Sequence, residues 1–204
     1  MPNTSATGGY LLPSSPPGSP PEDYSFEDLI QGVVVGLTGL PGNMVRPRWQ
    51  AVTPKQPEPT VDWCAVGIMG AEDQAVRSQI QHFSAGDGYD IATRWELVDI
   101  LVSAYGPNAW LTCSLIDSGL RIEQNRIALF QAQVGLRNIG RRLTMTELIN
   151  ERFVRRVDLP FTVVRTIKQT YPVLNLLRAS GTVTAAPVGS GESRHDAFDT
   201  ENIA

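Results

Sequence analysis

From residue 152 to residue 168, polar and apolar side chains alternate almost without interruption, and that rhythm constrains the fold more than any other stretch. Phe153, Val157, Leu159, Phe161, Val163 and Ile167 fall on one side. Arg156, Asp158, Thr162, Thr166 and Lys168 fall on the other. A period of two belongs to a β-strand, whose successive side chains point to opposite faces. At about 3.3 Å per residue such a strand would span on the order of 55 Å, longer than one small sheet accommodates. Either Pro160 introduces a bulge or bend, or half of the strand reaches beyond its own domain.

Helical and strand patterns elsewhere are consistent with a sheet covered by helices. Ser25, with Asp28 three residues on, reads as a helix N-cap. Phe26, Leu29, Ile30, Val33, Val34 and Leu37 then repeat at helical spacing, and Gly39 and Pro41 end the run. Gly32 and Gly36 lie one turn apart and permit a close approach, either to the sheet beneath or to a neighbouring subunit. Residues 44–50 read as a short strand whose Pro47 favours an edge position or a bulge. Residues 61–69 place Trp63, Ala65, Gly67 and Met69 on one face. Residues 76–84 and 89–105 flank Asp87-Gly88, a hairpin dipeptide, and the second is apolar on both faces, as a central strand would be.

Further along, Pro107 suits the first turn of a helix that buries Trp110, Leu111, Cys113, Leu115 and Ile116, with Gly119 ending or kinking it. A second helix over 124–134 is expected to bury Ile127, Phe130 and Val134. Thr144 and Glu147 form a capping-box pattern for a short helix, and 173–183 supplies a last strand. Helices and strands are segregated rather than alternating. The fold class expected is therefore α+β, a mostly antiparallel sheet with helices packed on it.

Composition sets the boundaries. Residues 1–24 are rich in Pro, Ser, Gly and Thr, and 187–204 in Gly, Ser and acids, so both read as flexible arms around a domain at 25–186. The net charge of −4 is uneven. The arms hold six acids and one base, leaving the domain with 16 bases and 15 acids. A nearly neutral domain argues against a nucleic-acid binder held by many phosphate contacts. Of the 17 bases 15 are arginine, which suits interface ion pairs and equally follows from a GC-rich genome. No cleaved export signal and no membrane span is expected. Cys64 and Cys113 are isolated and read as buried free thiols.

Chemical motifs are missing from the pattern. His82 has no nucleophile motif beside it, and His195 lies in the acidic tail. The glycines at 36, 39 and 42 end a helix instead of opening one, so they make a turn and not a phosphate cradle. Glu96 and Asp99 point to opposite faces of a strand and cannot act as an acid–base pair. No cofactor, metal or catalytic residue is assigned. Arg155, Arg156 and Asp158 form the most suggestive polar cluster: Arg156 and Asp158 share a face while Arg155 points to the apolar one. They read either as inter-subunit ion pairs or as a solvated face with one snorkelling arginine. Four tryptophans, Trp49 among them, fit core packing or a protein interface better than base stacking.

Several stretches in order and spacing resemble the phage neck or tail-terminator proteins. They are Ser103-Ala-Tyr-Gly-Pro-Asn-Ala-Trp110, Ile122-Glu-Gln-Asn-Arg126, Arg152-Phe-Val-Arg-Arg-Val-Asp-Leu159 and Thr170-Tyr-Pro-Val173. Upstream they continue through Val33–Gly42, Val45-Arg-Pro-Arg-Trp49 and Asp62-Trp-Cys-Ala-Val-Gly-Ile68, so that residues 26–182 are covered. The resemblance implies a non-enzymatic structural subunit of the virion, a homo-oligomeric ring with six subunits expected. It would join the tail tube to the head connector at the head–tail junction, with DNA passing through the lumen. Subunit contacts would fall to Arg155, Arg156, Asp158, Trp49, Gly32 and Gly36. A head-completion adaptor of the same junction, a small phage enzyme and a DNA-binding module are the alternatives.

Overall fold

The computed structural model describes residues 8–15, 21–52, 54–74, 79–83, 88–149, 152–173, 178–185 and 194–201, with backbone only at 149, 152 and 178–201. Two compact units divide it. The larger, residues 16–79 and 93–168, carries the hydrophobic core.

Helix α1 (Asp23–Thr38) opens three residues earlier than its sequence pattern predicts, with Glu22 at the N-cap and no side-chain cap. Ser25 sits inside the first turn. The start is anchored instead by Arg165, whose Nη1 donates to the Pro21 carbonyl at 3.2 Å and whose guanidinium lies 4.6 Å from the Phe26 ring. Phe26, Ile30, Val33 and Val34 are buried as their spacing requires. Gly39 ends the helix with φ 69°, its N–H returning to the Val35 carbonyl, a left-handed cap that glycine adopts without strain.

The sheet order is β1 (Val45–Pro47), β2 (Trp63–Asp73), β4 (Tyr89–Tyr105), β7 (Arg152–Tyr171), β5 (Val134–Ile139). In addition β3 (Gln79–Phe83) pairs with β4, and β6 (Leu143–Ile149) with β7. β1 runs parallel to β2, at the edge that Pro47 favours, while β2 with β4, β5 with β7 and β6 with β7 are antiparallel. Thr162 donates to Asp99 at 2.7 Å and Arg165 to Glu96 at 2.8 Å. These partners step in opposite directions along β7 and β4, the signature of antiparallel pairing. The expected α+β class is the observed one.

The long alternating stretch is a single 20-residue strand, and Pro160 does not break it. One side of β7 is shared by two successive partners, β6 against 152–158 and β5 against 161–165. Pro160 falls between them. Its carbonyl accepts from Gly140 N–H at 2.8 Å, and since N and C=O of a strand residue point the same way, its missing N–H faces that connection and no ladder bond is lost. Val157, Leu159, Phe161, Val163 and Ile167 are buried. Phe153 shares their face yet is 77% exposed.

Four sequence expectations are corrected. Residues 144–147 form no helix but lie in β6, where Glu147 opposes Val154; pairing with β7 overrides the capping pattern. In α2 (Ala109–Leu120) the buried stripe is Ala109, Thr112, Cys113, Ile116 and Leu120, leaving Trp110, Leu111 and Leu115 41–56% exposed. The second helix is a 3-10 turn (Gln124–Arg126) followed by α3 (Ile127–Gln131), which buries Leu129 and exposes Ile127 and Phe130. Val134 is buried as expected, but at the start of β5. Met69 leaves the face of Trp63 because the register shifts between Ile68 and Gly70.

The smaller unit comprises residues 1–15, 80–92 and 169–204. It holds most of β3 with the first residues of β4, where Phe83 and Tyr89 stack at 4.9 Å. His82 pairs with Asp90 there. Ser14 and Thr170 exchange backbone hydrogen bonds. Of the last predicted strand, residues 174–177 lie outside the described residues and 178–183 lie in β8 (Arg178–Ala185), which pairs with β9 (Arg194–Glu201) inside the acidic segment. The hairpin dipeptide's Asp87 lies outside the described residues; Gly88 has φ 85°.

Candidate functional site

The face of the sheet turned away from α1 and α2 carries a ladder of four side chains, one from each of four neighbouring strands. Arg46 of β1 lies 5.7 Å from the Trp63 ring of β2. Trp63 stacks on Tyr105 of β4 with centroids 4.2 Å apart and planes 6° from parallel. Tyr105 in turn lies 5.9 Å from the Arg156 guanidinium of β7. Strand register builds the ladder: Trp63 is directly opposite Tyr105, while the alternate residues Cys64 and Ala104 face the core.

Arg156 anchors one end. Its Nε and Nη2 donate to the two carboxylate oxygens of Asp158 at 2.7 and 2.9 Å, a fork on a carboxyl that is 4% exposed. Nη1 reaches Glu147 at 3.4 Å. The Asp158 hydrogen bond, opposed by burial, holds the guanidinium above its ordinary pKa. Burial also raises the Tyr105 hydroxyl, and the neighbouring Arg156 charge offsets part of that. Within one chain, Arg156 and Asp158 are therefore partners of each other. Arg155 is not brought to them. It is exposed, on the opposite face, with Nη1 3.5 Å from the Pro107 carbonyl.

At the other end a cleft of roughly 430 Å³ opens, lined by Arg46, Arg48, Trp49, Gln56, Trp63 and Tyr105 among others. Trp49 is 65% exposed. Arg48 packs on Gly67, where a Cβ would come within 2.7 Å of its own. Sequence reading singled out Trp49 but passed over Arg46, Arg48, Trp63 and Tyr105 as a group. Their alternation on β1 and β2 was visible; which strands become neighbours was not.

Gly32 and Gly36 sit elsewhere, on an outward groove that also includes Leu29, Leu37, Asn125 and Ala128. A Cβ on either glycine would meet nothing within 4 Å, so neither serves close packing on the sheet. The Gly106 and Asn125 motifs, by contrast, serve turn and helix-end geometry. Asp62 accepts from the Asn108 backbone and side chain, both at 2.8 Å, securing the start of α2, and Asn125 donates to the Gly119 carbonyl at its end.

Among the described residues no group of three His, Cys, Asp or Glu is placed to hold a metal ion, and no helix is long and apolar enough to cross a membrane. Glu96 and Asp99 do lie on opposite faces, held by Arg165 and Thr162 respectively. Each of these two acids is thus held by a residue of the neighbouring strand β7.

The model of the phage neck terminator protein family matches residues 24–186. The chain belongs to that family. It is a structural protein of the bacteriophage neck, a family of virion components and not of enzymes. No curated protein matches it in sequence. All six side chains and glycines singled out from sequence lie within the matched span.

Proposed function

We propose that this neck terminator works without chemistry of its own, as the repeated unit of a closed ring of six that ends the tail tube and joins it to the head connector, with the genome passing through the lumen. The observation that carries the reading is the family match over 24–186. Exposed apolar side chains on the larger unit support it. Trp110, Leu111 and Leu115 of α2 and Ile127 and Phe130 of α3 are all more than 40% exposed, the kind of surface that marks protein contact. A ring needs one surface on each subunit to match a different surface on the next, a heterologous contact that closes. Trp49, Arg155 and the Gly32–Gly36 groove are exposed and are the candidates for those surfaces. Arg156 and Asp158, already satisfied within the subunit, hold the β7 end of the outer face in shape for such a contact.

Native mass spectrometry and class averages from electron micrographs test this, on the protein alone and mixed with its neck partners. A six-membered ring is the expected result. A twelve-membered ring would move the chain to the head-completion position, and a monomer under every condition would sink the reading.

A further inference from the structure

We propose that the cleft beside β1 is a carboxylate-binding site, and that its occupant is the acidic C-terminal stretch, residues 187–204, of a second copy of the chain. Neither of the two arginines that line it is paired with a carboxylate among the described residues. Arg94, Arg121, Arg156 and Arg165 each pair with a carboxylate. Arg46 bonds only to the carbonyls of Asn43 and Lys55, and Arg48 to the Ser103 hydroxyl, with no salt bridge to either among the described residues. The Nε of Arg48 is buried and has no acceptor. A buried donor left unmade is costly, and a guanidinium is best satisfied by the planar fork of a carboxylate.

Among the described residues no acid lines the cleft. Its walls are aromatic: Trp49, Trp63 and Tyr105. They would hold the apolar body of a peptide while the two guanidiniums take its charge. Residues 187–204, of which 194–201 form β9 against β8, offer both parts, with Glu192, Asp196, Asp199 and Glu201 against the single Arg194, and Phe198 and Pro187 among them. The domain at 25–186, by contrast, has one more base than acid. Contact between copies is taken from the ring reading; the charge match is independent of it.

The test is a fluorescence-anisotropy titration of a labelled peptide of residues 187–204. The receptor is the full-length protein carrying Glu192→Gln, Asp196→Asn, Asp199→Asn and Glu201→Gln, so that its own tail does not compete. Saturable binding is expected. It should weaken by about tenfold or more with Arg48→Gln, and likewise when the peptide's four acids are replaced by amides. Arg46→Gln, at a more exposed position, gives the same answer should Arg48→Gln fail to fold. Absence of saturable binding, equal affinity for the arginine variants, or displacement by inorganic phosphate as effective as by unlabelled peptide would each overturn the proposal. The last would leave a site for free anions. A wild-type ring without peptide binding removes this inference and leaves the ring; peptide binding by a strict monomer does the reverse.

Discussion

Trp63 and Tyr105 face each other across β2 and β4 with their rings 4.2 Å apart and within 6° of parallel. The pair ties the outer face of the sheet together where no helix covers it. With Arg46 and Arg156 stacked at either end it forms a continuous column over four strands. Aromatic pairs of this kind contribute about 0.5–1.5 kcal/mol beyond their buried area.

Removing Arg156 should be far more damaging than its position on a sheet face implies. Arg156→Met leaves the 4%-exposed Asp158 carboxylate without its partner. We expect a loss of about 3 kcal/mol in urea unfolding. The double variant Arg156→Met, Asp158→Leu should recover much of it, because no buried charge remains.

Gly106 holds φ 107°, and a Cβ there would come within 2.7 Å of the Val61 carbonyl and 2.9 Å of Asp62 Cα. Gly106→Ala should therefore cost about 2 kcal/mol or more and disturb the start of α2. The melting temperature and far-ultraviolet circular dichroism measure both effects.

Gly32 and Gly36 should respond in the opposite direction. Space is open at both, and each lies inside α1. Alanine at either is expected to stabilise the isolated subunit by about 0.5–1 kcal/mol. If the groove receives a neighbouring subunit, the double alanine variant will be the more stable monomer and the poorer assembler. Unchanged assembly, read by native mass spectrometry, would remove the groove from the interface.

Burial pushes the thiol of Cys64 up to about 12 and that of Cys113 up to about 11, from an ordinary 9.0. Native protein at pH 8 should leave both unmodified by a thiol reagent, with two reacting in denaturant. The sign for stability follows from linkage. Above pH 9 the unfolded chain releases these protons first while the folded chain keeps them, so stability falls as pH rises from about 9 toward 11. Replacing both cysteines by alanine or valine should flatten that slope in pH-dependent unfolding.

Much of the fold was legible because its longest strands and first helix bury one clean face. The period-two run gave β7 and the separation of Arg155 from Arg156; the spacing of Phe26, Ile30, Val33 and Val34 gave the inner face of α1. α2 misled because its buried stripe is made of small and polar residues, Ala109, Thr112 and Cys113, while larger apolar ones face outward. Thr144–Glu147 misled because a local cap competed with a distant strand that had an edge to fill. The aromatic ladder was illegible for another reason. Its members lie on four segments up to 110 residues apart, and only the pairing order, which no single segment encodes, brings them together.

The β1 edge limits how such a chain can meet others. Pro47 presents no N–H there, and the Val45 carbonyl is already taken by the Gln31 side chain. A foreign strand arriving at this side would find neither donor nor acceptor in the right places. Association by that route, which propagates indefinitely once begun, is blocked at its first step, and recognition here is left to side chains, whose geometry can specify when to stop.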